Sequence, residues 1–250
     1  GMTDEQRYVF DLKGYLLIPE VLTLDEVATL KTQIQTIRED PESLPSHERG
    51  LPGGAASMLI DHPVVMDILS EIIGEVRMES SWFAYREKGQ DGPPPHGGTR
   101  NVNPNFSYQC VNGKIYSALT RVVFELNEVR HGEGGTQVVP GSHKANFSPT
   151  DSLNDFDSGV WETYSCPPGS MIVFTENLRH SGDVWKNAEW PRCAIFNCYN
   201  YVGAQFHHPS VPQHIIDGLP PEKQAFFRDV WVWNQGGPDN GKNTRYTETS

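Results

Sequence analysis

Within the first 75 residues, apolar positions 27, 30, 34 and 37 recur at intervals of three or four, which is the period of a helix. Residues 14–19 instead predict a short strand that ends at Pro19. A short helix is predicted over residues 4–13. Thr23 and Glu26 then form a capping box, in which each side chain satisfies a backbone donor of the other residue. A third helix is predicted over residues 62–74, with Pro63 in its first turn, where proline is tolerated. The second helix presents one apolar stripe, formed by Val27, Leu30, Ile34 and Ile37.

From residue 76 onwards the period changes to that of strands. Segments rich in β-branched and aromatic residues alternate with stretches rich in glycine, proline and asparagine, which predicts strands joined by turns. The predicted strands cover residues 76–85, 115–126, 136–139, 170–174 and 192–202. Helices followed by many strands favour a mostly β protein with flanking helices, built as a β-sandwich or jelly roll.

The composition predicts one domain. The chain has 250 residues, of which 37% are hydrophobic, and this is enough for one large core. Long charge runs, repeats and low-complexity linkers do not occur in the sequence. We therefore expect N-terminal helices over about residues 4–75, a jelly-roll core over about 76–205, and a C-terminal extension over about 206–250. The polar end of that extension, residues 234–250, is predicted to be flexible or only locally packed.

The net charge of −12 and the lack of a Lys/Arg cluster argue against nucleic acid or an anionic membrane as a partner. The sequence has no apolar segment near 20 residues and no signal-peptide pattern, and its four cysteines show no CxxC spacing. We expect a cytoplasmic protein with free thiols. The acidic balance favours a small-molecule substrate over an acyl-CoA, and the oligomeric state is left open.

Two histidines and one arginine are the candidates for chemistry. His180 lies in a polar turn after the apolar run 171–174, and a neutral imidazole there can bind a metal. Arg192 opens the next strand, where its planar guanidinium can hold a small carboxylate. His96 follows three prolines and precedes two glycines, which restrain the loop and allow other groups to approach the ring. A lone loop histidine is usually solvated, so the sequence alone leaves both interpretations of His96 open.

Several segments resemble the phytanoyl-CoA dioxygenase-like proteins. They are Gly14-Tyr15-Leu16, the capped helix, the stretch Gly134–Lys144 with its Pro-Gly-Ser-His-Lys sequence, and His180 with Arg192. The similarity covers about residues 10–202. Members of that family are non-haem Fe(II)- and 2-oxoglutarate-dependent oxygenases with a double-stranded β-helix (jelly-roll) fold.

The resemblance implies a role for four residues. His96 and His180 would bind Fe(II), Arg192 would bind the C5 carboxylate of 2-oxoglutarate, and His143 would be structural. The implied reaction uses dioxygen, converts 2-oxoglutarate to succinate and removes a hydrogen atom from a substrate C–H bond. Other candidates, for contacts around the distal histidine or the co-substrate, are Thr175, Ser181, Tyr108 and Gln109.

The sequence departs from the family at one position. The family pattern is His-x-Asp/Glu…His, and Gly98 stands where the metal-binding carboxylate belongs. Three outcomes are open. In the first, another carboxylate binds the metal at this position and the protein is a hydroxylase. In the second, a halide such as chloride binds the metal there, as in related halogenases. In the third, metal affinity is lost and the fold is a non-catalytic ligand-binding jelly roll. The acids nearest in sequence to this position are Asp91, Glu133, Glu176 and Asp183.

Overall fold

The computed structural model describes residues 1–98 and 103–231. The tail predicted over residues 234–250 and part of the turn around residues 101–105 lie outside this range. No helix within it is long and apolar enough to span a bilayer. All four cysteines fall inside it and are free thiols, Cys110 exposed and the others buried.

The predicted N-terminal helices are confirmed. Thr23 caps the second helix through reciprocal bonds with Glu26: Thr23 Oγ1 accepts from the Glu26 amide, and the Glu26 carboxylate accepts from the Thr23 amide. Pro63 occupies the first position of the third. The α-helices are α1 Asp4–Lys13, α2 Leu24–Glu39, α3 Pro63–Ile72, α4 Gln213–Asp217 and α5 Pro221–Gln224.

The strands of the described residues form antiparallel sheets. A large sheet has the order β1-β8-β5-β10-β2, a small sheet has the order β7-β6-β9, and β3 and β4 form a separate ribbon. The strands are β1 Tyr15–Ile18, β2 Val76–Arg86, β3 Gln109–Val111, β4 Lys114–Tyr116, β5 Thr120–Glu125, β6 Gly135–Val139, β7 Glu162–Thr163, β8 Ser170–Thr175, β9 Arg179–Asp183 and β10 Arg192–Tyr201.

The large sheet lies between two apolar layers, because successive residues of a strand point to opposite faces. One face packs against the helices through Val122, Phe124, Met171, Val173, Cys193 and Ile195. The opposite face, here called the inner face, contributes Val123, Ile172, Phe174, Ala194 and Phe196 to a second apolar cluster that includes Val138 of the small sheet. Two antiparallel sheets packed in this way, with helices outside, form the predicted jelly roll.

Two predicted boundaries were wrong. The predicted strand over 115–126 is two strands, β4 and β5, and Ala118 between them has a positive φ of 61°. His180 does not lie in a polar turn: it is in β9, which pairs with β6 in the register Val138↔His180. The polar residues of β9 have weak β propensity, and the pairing of their backbone groups with β6 determines their conformation.

Candidate metal centre

Three side chains from two distant segments meet at one end of the small sheet. Donor atoms of His96, Glu176 and His180 all lie within 4.8 Å of one another, and in the described residues they form the one such group of His, Cys, Asp or Glu. The imidazole centroids of His96 and His180 are 4.0 Å apart. His180 Nε2 lies 3.4 Å from Glu176 Oε2. We call these three side chains the donor cluster.

The backbone brings the two histidines together. His96 and His180 form an isolated antiparallel bridge in which each amide donates to the other residue's carbonyl, both at 3.0 Å. The loop before His96 continues along β9, since Pro93 O accepts from the Gly182 amide at 3.0 Å and from Ser181 Oγ at 2.8 Å. Residues 93–96 therefore extend the small sheet by an irregular strand.

Each imidazole of the donor cluster is oriented by its Nδ1 atom. His96 Nδ1 lies 2.7 Å from Pro94 O, and His180 Nδ1 lies 2.6 Å from Leu178 O. A carbonyl oxygen only accepts, so Nδ1 carries a proton in both rings, and Nε2 is the nitrogen left to bind a metal. Burial further lowers the pKa of His180, although Glu176 acts in the opposite direction. A neutral imidazole bonded in this way offers Nε2 to a metal ion.

Glu176 supplies the carboxylate from the turn between β8 and β9. Its amide donates to Leu119 O at 2.8 Å, which fixes the turn against the segment before β5. Oε1 accepts from Arg121 Nε at 2.7 Å, and Oε2 faces His180. Burial would raise the pKa of Glu176, but Arg121, His180 and His96 together lower it, and the net direction is down. The group is an anion with one oxygen held by arginine and the other directed at the donor cluster.

Gly98 has no room for a side chain. Its φ is +83°, and a Cβ built on it would overlap the Cβ of Arg179. The Gly98 amide donates to Asn177 O at 2.9 Å, and Arg179 Nη1 donates to Gly97 O at 2.9 Å. The backbone at 98 is thus packed directly on the start of β9, and a carboxylate reaches the histidines from Glu176 instead.

The other acids considered from the sequence are outside the donor cluster. Asp91 Oδ1 accepts from the Gly92 amide, and Asp183 Oδ1 accepts from the Val184 amide. Glu133 Oε2 accepts from Asn187 Nδ2. Of the four candidates, Glu176 alone belongs to the group of three donors found among residues 1–98 and 103–231.

Arg192 lies beside the donor cluster but is already paired. Its Nη2 donates to Glu125 Oε1 at 2.5 Å and to Thr136 Oγ1 at 2.9 Å, and its Nε donates to the same carboxylate at 3.2 Å. The Arg192 and Glu125 side chains are 2% and 0% exposed. Tyr164 completes the group by donating to Glu125 Oε1 at 2.7 Å. Burial would lower the pKa of Arg192, but the adjacent carboxylate raises it above the usual value.

Comparison with known proteins decides the family. The family model described as "Phytanoyl-CoA dioxygenase (PhyH)" matches residues 10–192. The chain belongs to the PhyH family. Its members are non-haem iron- and 2-oxoglutarate-dependent oxygenases, which confirms the resemblance drawn from the sequence.

Three PhyH-like proteins share only 20–23% sequence identity with this chain. An ectoine dioxygenase from Bordetella parapertussis is 23% identical over 269 residues, covering 90% of this chain and 84% of the relative. The dioxygenase cdmD from Talaromyces verruculosus is 22% identical over 167 residues, and the match spans about half of that protein, 52%. Crystalline HygX from Streptomyces hygroscopicus, with nickel and 2-oxoglutarate bound, superposes with a TM-score of 0.67 at 20% identity, covering 80% of this chain and 88% of HygX. This likeness shows the shared fold.

A small cavity of about 80 Å³ lies over the donor cluster. Trp82 and Phe196 form one wall and are stacked, with ring centroids 4.1 Å apart and planes 5° from parallel. The polar lining includes Arg86, Arg121 and Arg192. A much larger cavity, about 1040 Å³, lies between α3, the β3–β4 ribbon and the segment around Phe226, and its lining includes no residue of the donor cluster. Of these two cavities, the small one is where the metal donors and the cations meet.

Other residues considered from the sequence have packing roles here. His143 is fully buried, and its Nε2 donates to Asp11 O at 2.9 Å. Tyr108 donates to the Asp11 carboxylate at 2.6 Å, and Thr175 donates to Ser117 O at 2.8 Å. Neither Tyr108 nor Gln109 lines the small cavity.

Sequence reasoning missed three charged residues of the inner face: Arg86, Arg121 and Glu125. Arg121 and Glu125 are separated by an even number of positions in β5, so they share a face with Val123. A charged residue at each end of an apolar strand was the available signal. Its importance depends on the strand order, which the sequence does not provide.

Proposed function

We propose that this PhyH protein is an Fe(II)- and 2-oxoglutarate-dependent oxygenase in which His96, Glu176 and His180 bind the iron. The supporting observation is the donor cluster itself: two imidazoles and one carboxylate whose donor atoms lie within 4.8 Å of one another. This ligand set is characteristic of non-haem Fe(II) oxygenases, because it leaves positions open for a 2-oxo acid and dioxygen. Bound iron would supply the activation of dioxygen.

The protein's own contribution is to orient the donors before the metal binds. Carbonyl oxygens hold Nδ1 of both rings, and Arg121 holds one oxygen of Glu176. Such outer contacts orient metal ligands and increase their affinity for the metal. Glu176 provides the negative charge that an aspartate or glutamate at position 98 would provide in the family pattern.

The remaining walls of the cavity separate the co-substrate from the substrate. Arg192 lines the side near Thr136, and we propose that it contacts 2-oxoglutarate there. The stacked Trp82 and Phe196 lie on the inner face and offer an apolar wall for a small substrate with a reactive C–H bond. Solved HygX is described with hygromycin B, and a curated relative is an ectoine dioxygenase, so relatives of this chain act on or bind small molecules.

An anaerobic titration of the metal-free protein with Fe(II) tests the ligand set. Glu176→Gln keeps an oxygen that can accept from Arg121 but removes the negative charge, so we expect iron affinity to fall by about 10- to 100-fold or more. The matched control is Asp183→Asn, which removes a carboxylate from β9, the strand of His180, outside the donor cluster. Its iron affinity should equal that of the unsubstituted protein. Equal affinity for the protein and Glu176→Gln would contradict the role of Glu176.

The same samples separate the proposed function from its alternatives. Succinate formed from 2-oxoglutarate in air, dependent on added iron, supports the oxygenase. The halogenase alternative stays a prediction: it requires chloride to change the spectrum of the anaerobic Fe(II)–2-oxoglutarate sample and to appear in the product. No measurable iron binding by the unsubstituted protein would favour the non-catalytic ligand-binding alternative. The carboxylate in the donor cluster supports hydroxylation over halogenation. If Glu176 binds the iron, it takes the ligand position that the missing carboxylate at Gly98 would otherwise leave open for a halide.

A further inference from the structure

Glu176 is the one member of the donor cluster with two oxygen atoms to offer a metal. Each imidazole has one nitrogen available, because Nδ1 of His96 and Nδ1 of His180 are held by backbone carbonyls. A carboxylate, in contrast, binds metals through either one oxygen or both. A 2-oxo acid and dioxygen both need open ligand positions on the iron. The number of oxygens that Glu176 uses therefore decides what else the iron can bind.

One oxygen of Glu176 is already held by Arg121. Oε1 accepts a hydrogen bond from Arg121 Nε at 2.7 Å, whereas Oε2 lies 3.4 Å from His180 Nε2. The Arg121 and Glu176 side chains are 13% and 15% exposed. Withdrawing one partner of a buried ion pair is much more costly than separating an exposed pair. Oε1 is thus held on the arginine, and Oε2 is the oxygen directed at the donor cluster.

Arg121 is itself fixed in place. It lies in β5, the middle strand of the large sheet, which is paired on both sides, with β8 and with β10. Its Nη1 donates to Ser80 Oγ at 3.4 Å. The backbone joins the same two segments, since the Glu176 amide donates to Leu119 O, two residues before Arg121. Main chain and side chains together close a ring in which the carboxylate keeps its orientation.

We propose that Arg121 is a positioning residue that restricts Glu176 to binding the iron through one oxygen, and that it thereby keeps a ligand position open for the 2-oxo acid. This inference rests on the proposed function, because it assumes that Glu176 binds the iron. It adds a distinct role for the ion pair. Arg121 controls which further ligands the iron accepts, and not only how tightly the iron is held.

Replacement of Arg121 by methionine tests this role without turnover. Arg121→Met keeps a long, unbranched side chain that cannot donate to Glu176, so Oε1 is released. Loss of the orienting bond weakens iron binding, whereas the second oxygen and the loss of a positive charge strengthen it. We therefore expect Fe(II) affinity to change by less than about 10-fold. Anaerobic binding of 2-oxoglutarate to the iron-saturated variant, followed by visible absorption, should weaken by about 10- to 100-fold, because the second oxygen competes for its position.

A double variant separates this competition from the simple loss of a positive charge. Glu176→Gln leaves one oxygen on the side chain, so position 176 then has no second oxygen to release. In iron-saturated protein that already carries Glu176→Gln, Arg121→Met should weaken 2-oxoglutarate by less than about 3-fold. The same weakening with and without Glu176→Gln would show that only the charge matters, and it would overturn the inference. Unchanged 2-oxoglutarate affinity in Arg121→Met alone would overturn it as well.

The matched control is Arg77→Met, which removes another buried arginine of the large sheet. The Arg77 guanidinium donates to Arg228 O and does not line the small cavity. This variant should bind iron and 2-oxoglutarate as the unsubstituted protein does. Unchanged iron affinity in Glu176→Gln would instead contradict the proposed ligand set, so failure of the proposed function is distinguishable from failure of the role of Arg121.

A second variant keeps the inference testable if Arg121→Met does not fold. Arg121→Lys keeps the positive charge but loses the Nε donor that holds Oε1. Because the charge is retained, any weakening of 2-oxoglutarate in this variant reports the freedom of the carboxylate. We expect a weakening of about 3- to 10-fold at saturating iron. Affinity equal to that of the unsubstituted protein contradicts the role of Arg121.

Discussion

Two buried histidines of this protein, His143 and His180, differ in what faces their second ring nitrogen. Both have one nitrogen bonded to a backbone carbonyl, Asp11 O for His143 and Leu178 O for His180. The free nitrogen of His180 faces Glu176 and lies beside the ring of His96. The free Nδ1 of His143 has no hydrogen-bond partner among the described residues and packs against Gly14, where even a Cβ would come within 2.7 Å.

The comparison shows that burial alone does not distinguish a ligand from a packing residue. His143 contacts Tyr108 edge to face, with centroids 4.6 Å apart, and closes the space between α1 and the turn after β6. His180 is also buried, but its second nitrogen is directed at a carboxylate and lies beside a second imidazole. A metal site requires this convergence of donors, and a histidine that lacks it has a structural role.

The largest expected effect comes from replacing each of the two histidines by alanine in a separate variant. His180→Ala should lower Fe(II) affinity by at least about 100-fold, because a ligand is lost, while the pairing of β9 with β6 keeps the protein folded. His143→Ala should leave the iron affinity of the folded protein unchanged and lower the free energy of unfolding by about 2–4 kcal/mol through the cavity it leaves. Iron titration and chemical denaturation of both variants measure this. Loss of iron binding in His143→Ala at full stability would break the distinction.

The pH dependence of stability sharpens the same comparison. Burial lowers the pKa of His143 from its usual 6.5 to about 4, and Lys144 acts in the same direction while contacts with Asp11 oppose it. Between these pH values the unfolded chain carries the proton and the folded chain does not, so the free energy of unfolding falls as pH falls from about 6.5 to 4. The loss attributable to His143 is about 3 kcal/mol. Denaturation curves across this range should show a smaller loss for His143→Ala than for the unsubstituted protein.

A smaller effect is expected from restoring the family's carboxylate at position 98. Gly98→Asp would place a side chain at φ +83° against Arg179, which should cost about 2 kcal/mol of stability. For the same reason, the double variant Glu176→Gln with Gly98→Asp should not regain the iron affinity lost in Glu176→Gln. Thermal unfolding and iron titration check the two parts. Recovery of affinity in the double variant would mean that the backbone at 98 adapts and that either position can supply the third ligand.

Much of the fold was predictable because its signals are local. The capping box at Thr23, the proline at 63 and the change from helical to strand period all correspond to contacts within a few residues, and the structure confirms them. β9 was missed because its residues are polar and flexible by type. Its strand conformation comes from pairing with β6, whose partner residues lie 40 to 48 positions earlier, and a local pattern does not contain this pairing.

The candidate site was predictable only in part for a related reason. His96 and His180 were found through residue type and resemblance, and the structure places their rings together. Glu176 was one of four acids that the sequence could not rank, since its position depends on a tight turn between β8 and β9. The pairing of Arg192 with Glu125 was not predicted, because Glu125 closes an apolar strand and approaches Arg192 only through the alignment of β5 with β10.

The reciprocal amide bonds between residues 96 and 180 have a consequence for how this centre opens. Because the same two hydrogen bonds close the bridge from both sides, any fluctuation that parts the segments withdraws both imidazoles in one event. Exchange of these two amide protons with solvent deuterium thus reports the integrity of the whole centre, and bound iron should slow both by the same factor.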